Sequence, residues 1–472
     1  MSLPFLINDY INKFSELDVL RTELYKKNIL TKDYVEEGMM LIYHKFEQKN
    51  SSDLERECRS IVLDRNTKQI LSYSCETPVI NSEAFEYLLM NQNIDKIITK
   101  CYEGTLLSLF FKDKWYLSTR RCLNSNDSVW GNEQKSHFSM FLEVLNSSGY
   151  ENFDSFTEKL NINNCYYFIL IHHQNKNIVD YNQEFGNEYK KLVLAFVRNK
   201  ESQQEINLYN LEESNEIRNI CNENIFIAEK LENMESFDSI NQKDQFELPP
   251  TSEGIIIKTF DSKLQKNKLF KLQSKSYQFA KSIGSDKNIF MGLIHLYQKD
   301  KLKDYLNDKN NSHLRKILNP INTQEAYDTI GAIDAVFKVC TSELFELFKK
   351  VWDIKTGKHL NTELYNFLPK EYKDILFGIK GLYLKKKGNS FLSINDIYNL
   401  LKVMPVENFC ALNRMRKLMY NWCKVNEKLV EFSKISSKCD KIHFKLAAIY
   451  CNKLFPNIML DDLPPLENNL SK

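Results

Sequence analysis

The chain has 472 residues and a mass of 55.8 kDa, which is too long for one ordinary hydrophobic core, so we expect two or three domains. Hydrophobic residues form 43% of the chain and aromatic residues 12%, as in a globular protein. No apolar run is long enough to span a bilayer, and the first residues lack the features of a secretory signal. The eleven cysteines are scattered without a CxxC pair, so we expect a reduced, intracellular, cytoplasmic protein without a membrane partner.

The net charge of +2 is distributed unevenly along the chain. Residues 285–472 hold 30 Lys and Arg against 21 Asp and Glu, a balance of +9, so residues 1–284 hold 34 against 41, or −7. A polyanion partner for the C-terminal part and an ordinary lysine-rich surface are both consistent with this asymmetry. The frequent use of Asn, Lys and Ile is typical of an AT-rich genome, such as that of a large DNA virus.

The first 275 residues are mostly strand-like. Residues 1–45 indicate one or two helices that lead into a strand. Helices are also expected near 82–95, 136–148 and 211–219. The mixture predicts an α+β domain built around antiparallel sheets. Short β-branched or aromatic runs predict the strands, at Met40–Phe46, Ser60–Asp64, Ile97–Tyr102, Leu106–Phe111, Trp115–Thr119, Cys165–Ile171, Leu192–Phe196 and Gly254–Lys258.

The pattern after about residue 275 is helical, and it predicts an all-helical domain over 280–460, followed by a polar tail. Two basic clusters there, Lys385–Lys387 and Arg414–Lys417, fit contacts to polyanion phosphates or a solvated helix face. Apolar side chains recur at helical spacing in, for example, Leu344, Phe345, Phe348, Val351 and Trp352.

Six short segments occur in an order that is more informative than any one of them. Together they resemble the phage and viral type of ATP-dependent RNA ligase, the tRNA-repairing kind, within the covalent nucleotidyltransferase superfamily. The resemblance spans about residues 40–280. The segments are Glu57–Asp64 (ECRSIVLD), Thr99–Leu107 (TKCYEGTLL), Leu117–Arg121 (LSTRR), Tyr167–Tyr181 (YFILIHHQNKNIVDY), Ser252–Lys258 (SEGIIIK) and Phe270–Tyr277 (FKLQSKSY).

This resemblance implies a fold and a reaction. Residues 1–280 would form an antiparallel-sheet nucleotidyltransferase domain, and residues 281–472 an all-helical C-terminal domain with a basic surface. ATP and Mg²⁺ would be the cofactors, and RNA, with tRNA as one candidate, would be the partner. ATP transfers AMP to a lysine, AMP moves to an RNA 5′-phosphate, and the adjoining 3′-OH displaces AMP. The first step needs a neutral lysine amine and positive charge near the leaving pyrophosphate.

The resemblance also implies roles for individual residues. Arg59, Arg120 and Lys271 would contact phosphates, and Glu103 and Glu253 would hold ribose or metal, with Glu253 as the magnesium ligand. Each has an ordinary structural alternative, namely a turn, a strand edge or a solvated hairpin end. The remaining nucleotide-binding residues implied by the motifs are Gly104, where backbone would approach phosphate, Gly254 and Gln273.

The chain departs from the family pattern at charged positions. Cys101 occupies the register of the nucleophilic lysine, three residues before Gly104, and Lys100 lies one residue too early. Neighbouring strand residues face opposite ways, so Lys100 could serve as the nucleophile only if the strand bulges by one residue. Ile169 replaces a glutamate and Thr77 a lysine, and Gln273 replaces the second lysine of the last motif.

Two functional hypotheses follow from these observations. The chain is either an ATP- and Mg²⁺-dependent RNA ligase that uses Lys100, or a catalytically inactive ligase homologue that acts as an RNA-binding or assembly protein. An mRNA-capping guanylyltransferase shares the fold but fits the motifs less well. The adjacent pair His172 and His173 is not expected to bind one metal ion, since the two side chains lie on opposite faces of a strand.

Overall fold

The structure is a computed structural model. It describes residues 5–14, 16–45, 51–91, 94–129, 135–175, 177–231, 252–261, 266–284, 289–303, 323–386, 391–423 and 434–435. The chain divides into two compact units, Met1–Ala280 and Lys281–Lys472. The predicted polar tail lies outside the described residues.

The described part of the first unit contains three sheets. Sheet A has the order β1-β2-β3-β4, sheet B the order β11-β10-β9-β7-β8 with β12 beside β10, and sheet C the order β5-β14-β13-β6. Neighbours are antiparallel except for the pairs β10–β12 and β5–β14. The strands are β1 Ile29–Tyr34, β2 Met39–His44, β3 Ile61–Asp64, β4 Ile70–Tyr73, β5 Val79–Ile80, β6 Lys96–Cys101, β7 Thr105–Phe111, β8 Trp115–Thr119, β9 Asn164–His172, β10 Lys190–Asn199, β11 Glu205–Ile206, β12 Ile225–Ile227, β13 Gly254–Asp261 and β14 Lys266–Gln273.

Helices cover the sheets of the first unit. α5 and α6 pack with α8 on one face of sheet B, through a core that includes Phe141, Phe156 and Phe168. The other face of sheet B packs on sheet A. The helices are α1 Leu6–Lys13, α2 Leu17–Tyr25, α3 Asp53–Glu57, α4 Asn81–Met90, α5 His137–Ser147, α6 Phe153–Thr157, α7 Asn182–Phe185, α8 Leu211–Arg218 and α9 Lys275–Gly284, with a short 3-10 turn at Ser125–Asp127.

Sheet C matters most for the site. β13 pairs with β6 on one side and β14 on the other, so the β13–β14 hairpin lies beside a strand that precedes it by about 150 residues. Ile255 and Ile257 alternate toward a core shared with α4, which follows from the two-residue period of a strand. Phe270 and Leu272 on β14 contact the same core. Lys271 and Gln273 therefore lie on the opposite face of β14.

The second unit is helical in its described part. A buried carboxylate, Glu343, accepts hydrogen bonds from Tyr372 Oη at 2.6 Å and Arg416 Nε at 3.0 Å. None of the described helices in either unit has the length and apolar character that crossing a bilayer requires. The helices are α10 Ile289–Gln298, α11 Thr323–Val351, α12 Thr362–Phe367, α13 Lys370–Lys386, α14 Ile394–Val403 and α15 Val406–Cys423.

The predicted fold class is confirmed: an α+β region with antiparallel sheets precedes a helical region. One detail of the basic clusters is wrong. Arg416 is only 5% exposed because it pairs with Glu343, so it is not available to a polyanion. Arg414 and Lys385 are exposed, and Lys387 lies outside the described residues.

Candidate nucleotide site

A buried carboxylate with three side-chain donors forms the centre of the candidate site. Glu253 is 4% exposed and lies just before β13. Its Oε1 accepts from Lys271 Nζ at 2.7 Å and from Gln273 Nε2 at 3.0 Å, and its Oε2 accepts from Cys101 Sγ at 3.2 Å. Lys271 and Gln273 are two residues apart on β14 and therefore share a face. We call these four residues the Glu253 cluster.

Charge in the Glu253 cluster is balanced by one ion pair. Burial alone would raise the pKa of Glu253, but the Lys271 ammonium outweighs it and holds that pKa below its ordinary value. Burial would likewise lower the pKa of Lys271, yet the anionic neighbours keep it raised. Burial raises the pKa of the Cys101 thiol well above its ordinary value. At neutral pH the cluster therefore holds a carboxylate, an ammonium and a neutral thiol, and neither nucleophile in it is deprotonated.

Lys100 lies outside the Glu253 cluster. β6 pairs with β13 in continuous register from Lys96 to Cys101, so the bulge that a Lys100 nucleophile would need is not formed. The Lys100 amine instead contacts Glu184 Oε2 at 2.5 Å and lies 4.8 Å from the centroid of the Tyr102 ring. The structure thus places Cys101, and not Lys100, on the face that carries Glu253.

Glu103 has a different environment from the one that a metal or ribose contact implies. Its Oε2 accepts from the backbone N–H groups of Ile178 at 2.6 Å and Val179 at 2.7 Å, and its Oε1 accepts from Tyr277 Oη at 3.1 Å. The Tyr181 hydroxyl lies 2.6 Å from the Glu103 backbone nitrogen. Glu103 therefore ties the end of β6 to the 178–181 segment and to α9. Sequence reasoning assigned no role to either tyrosine, although both belong to the quoted motifs.

Glu103 also gives the fold a pH dependence. Burial raises the pKa of Glu103 from 4.5 to about 7, and the nearby Glu253 charge adds to the effect of burial, while the Val179 N–H opposes it. A carboxyl whose pKa is higher in the folded state than in the unfolded state binds more protons in the folded state. Its contribution to stability is therefore fully present below pH 4.5 and is lost as the pH rises through 7.

We expect the free energy of unfolding to fall by up to about 3 kcal/mol between pH 4.5 and 8 on account of Glu103. Glu103→Gln should flatten this decline, which denaturant titrations at several pH values would measure. Part of the decline should persist, because burial also raises the pKa of Glu57 to about 7. Glu143→Gln is the control, since the pKa of Glu143 is lowered to about 2, outside this range. An unchanged slope in Glu103→Gln would contradict the assignment.

The two predicted phosphate-binding arginines have separate surroundings. Arg59 NH1 lies 3.2 Å from Cys75 Sγ, and the charge of Arg59 has a minor lowering effect on the pKa of Lys271. Arg120 NH2 donates to His44 Nε2 at 2.7 Å, and the same ring nitrogen lies 3.1 Å from the hydroxyl of Thr77. Arg59 therefore belongs near the Glu253 cluster, while Arg120 forms a second polar group with His44 and Thr77.

Both predicted glycines are required by close packing of backbone. A Cβ at Gly104 would lie 2.4 Å from the carbonyl oxygen of Leu170, and at Gly254 it would lie 2.0 Å from that of Leu272. Gly254 also has a φ of +139°, which side chains rarely tolerate. These glycines allow strands to approach one another. Approach to phosphate is not needed to explain them.

The chemistry of the Glu253 cluster does not fit Mg²⁺. Both carboxylate oxygens already accept from donors, and the Lys271 ammonium occupies the position next to Oε1 that a cation would need. The described residues contain no group of three or more His, Cys, Asp or Glu side chains able to hold a metal ion. In the described part of β9, His172 Nε2 contacts Glu143 Oε2 at 3.1 Å, and burial lowers the pKa of His172 to about 4.

Comparison with known proteins gives a partial sequence match and distant structural similarities. No family model matches the chain. A protein described as an Immediate-early protein ICP-46 homolog, from Invertebrate iridescent virus 3, is 25% identical over 147 residues. That match covers 28% of this chain and 31% of the relative, so the chain spans about a third of the length of the curated relative that it matches.

Two solved structures that resemble this one are forms of an archaeal ATP-dependent RNA ligase. Form 1 is 9% identical with a TM-score of 0.39, and the match covers 71% of this chain and 82% of that one. Form 2 is 9% identical with a TM-score of 0.38, and the match covers 74% of this chain and 82% of that one.

Proposed function

We propose that this protein is a relative of ATP-dependent RNA ligases that binds nucleotide and RNA but does not form a lysyl adenylate. The position of Cys101 carries the proposal. It occupies the place of the nucleophilic lysine on the face that holds Glu253 and Lys271. A phosphoramidate requires an attacking amine, and Cys101 offers a neutral, buried thiol instead. Lys271 cannot replace that amine, because its ion pair with Glu253 keeps it protonated.

Nucleotide binding is supported by the groups that surround this position. Lys271 and Arg59 supply positive charge for a triphosphate, and ATP is the nucleotide that the motif order implies. Any magnesium would be held by the triphosphate, since the Lys271 ammonium already lies beside Glu253.

RNA binding is supported by the charge of the second unit. Residues 285–472 have a balance of +9, and exposed cations such as Lys385 and Arg414 lie on its helices. Basic surfaces bind nucleic acid by neutralising phosphates, which makes the affinity depend steeply on salt. We propose RNA, with tRNA as one candidate, as the partner, and a virus-associated role in the cytoplasm.

The competing function is an active RNA ligase in which Lys100 accepts AMP. It would require β6 to shift by one residue and the Lys100–Glu184 ion pair to break. One experiment separates the two functions. The protein is incubated with α-labelled ATP and Mg²⁺ and resolved on a denaturing gel, where only covalently bound label remains.

We expect no covalent label on the natural protein and noncovalent ATP binding that Glu253→Gln/Lys271→Met weakens at least about tenfold. Cys101→Lys should introduce covalent label, because it places an amine on the correct face. The control is Cys101→Ala, which should stay unlabelled. Label should persist in a Lys100→Ala/Cys101→Lys double variant, since the amine at position 101 carries it. A label on the natural protein that Lys100→Ala removes would overturn the proposal.

A further inference from the structure

A second polar cavity lies at the other end of the β13–β14 hairpin. Its volume is about 280 Å³. Lys258 and Phe260 line it and follow Gly254 by four and six residues, which places them roughly 13–20 Å along the strand from the Glu253 cluster. The remaining lining residues come from β6, β10, β14 and the segment 203–209. The cavity is therefore a separate feature of the same sheet.

Cationic side chains outnumber carboxylates among the residues that line this cavity. Three cationic side chains line it, Arg198, Lys258 and Lys266, against one carboxylate, Glu205. Lys258 Nζ lies 2.6 Å from Glu205 Oε1, and Arg198 NH2 lies 3.7 Å from Glu205 Oε2, so two cations share one anion. The lining side chains therefore include more cations than carboxylates, although Glu57 and Glu76 outside the lining offset the charge of Lys266.

Two carboxylates outside the cavity lining form ion pairs with Lys266. Its Nζ lies 2.6 Å from Glu57 Oε1 and 2.6 Å from Glu76 Oε1. Neither of these carboxylates is among the residues that line the cavity. They fix the Lys266 side chain in place without presenting a carboxylate to the cavity itself.

Arg198 is a buried cation that lies over aromatic rings. It is 8% exposed, and its guanidinium lies over the rings of Phe5 and Tyr73, at 5.1 and 5.2 Å from their centroids. NH1 donates to the carbonyl oxygen of Gln203 at 2.6 Å, whereas Nε has no acceptor among the described residues. A buried donor without a partner is uncommon in folded proteins.

We propose that this cavity binds a phosphate-bearing ligand with a planar or apolar portion, such as a nucleoside monophosphate, either free or as the end of an oligonucleotide. Arginine and lysine side chains are the usual partners of phosphate oxygens. Phe260 is 53% exposed beside them and, with Ile97, offers an apolar surface for a base. The inference does not depend on the function proposed above, because none of these residues belongs to the Glu253 cluster.

The test measures binding of AMP, inorganic pyrophosphate and a 5′-phosphorylated trinucleotide to the full chain, in a Glu253→Gln/Lys271→Met background that removes both charges of the first site. Hydrogen exchange locates the binding. We expect each bound phosphate ligand to protect peptides that cover residues 203–209. Lys258→Gln should weaken binding about tenfold, because it removes a charged donor. Glu205→Gln should strengthen binding, because Lys258 and Arg198 then no longer share a carboxylate.

Phe260→Ala tests recognition of the apolar portion of the ligand independently of the phosphate. Because Phe260 is exposed, the substitution should not impair folding. It should weaken AMP binding several-fold and leave pyrophosphate binding unchanged. Binding of AMP but not the trinucleotide would identify a free small molecule, and tighter binding of the trinucleotide would identify an RNA end; both support the proposal. No protection of residues 203–209 by any probe, or equal affinities in the Lys258→Gln and Glu205→Gln variants, would overturn it.

Discussion

Glu253→Ala is expected to lower the free energy of unfolding of sheet C by about 3–5 kcal/mol. The substitution leaves the Lys271 ammonium, which has a side chain only 19% exposed, without its carboxylate. Removing one partner of a buried ion pair is costly because the other charge stays desolvated. Cys101 and Gln273 lose their acceptor at the same time. Hydrogen exchange of β13 and β14 peptides in increasing urea measures the change within the full chain.

The double variant Glu253→Gln/Lys271→Met is the matched control. It removes both charges and retains much of the side-chain volume, so it should recover most of the stability that Glu253→Ala loses. Neither variant should bind ATP as the natural protein does. If the double variant were as unstable as Glu253→Ala, the loss would come from packing and the ion pair would not be its cause.

The sequence predicted the parts of this site that follow from strand geometry. Short β-branched runs located β6 and β13, and a two-residue period then dictated that Cys101 and Lys100 face opposite ways. The motif order brought Glu253 and Lys271 into consideration together, although 18 residues separate them. The fold class followed from the same local patterns, because antiparallel strands have a distinctive alternation and the last third of the chain has a helical one.

Contacts between distant segments could not be predicted in this way. Lys266 pairs with Glu57 across 209 positions, and nothing local to either residue indicates the other. The sequence around Arg416 is consistent with a surface cation, whereas the structure buries this residue in an ion pair with Glu343. β1 was missed because its sequence, ILTKDY, has few apolar residues and only Ile29 is fully buried. Glu103 resembled a ligand-binding residue because its partners, two backbone amides and Tyr277, come from elsewhere in the chain.

The backbone conformation of Gly254 positions the Glu253 side chain in the site. It follows Glu253 directly and pairs with Cys101 on β6 and Gln273 on β14. Its φ of +139° turns the chain so that the Glu253 carboxylate reaches the donors of both flanking strands. Any side chain at this position would displace β14 and the Glu253 cluster with it.

Gly254→Ala is therefore expected to destabilise sheet C by at least about 3 kcal/mol, since backbone strain and overpacking each contribute about 1–3 kcal/mol. The added Cβ would lie 2.0 Å from the carbonyl oxygen of Leu272 and 2.8 Å from the Cα of Gln273. Gly149→Ala is the matched control: Gly149 also has a positive φ, +86°, but nothing lies within 4 Å of its Cβ position. It should cost only about 1–2 kcal/mol. Urea denaturation of both variants, followed by hydrogen exchange, compares them directly, and equal losses would show that conformational strain alone, and not the approach of β14, makes Gly254 necessary.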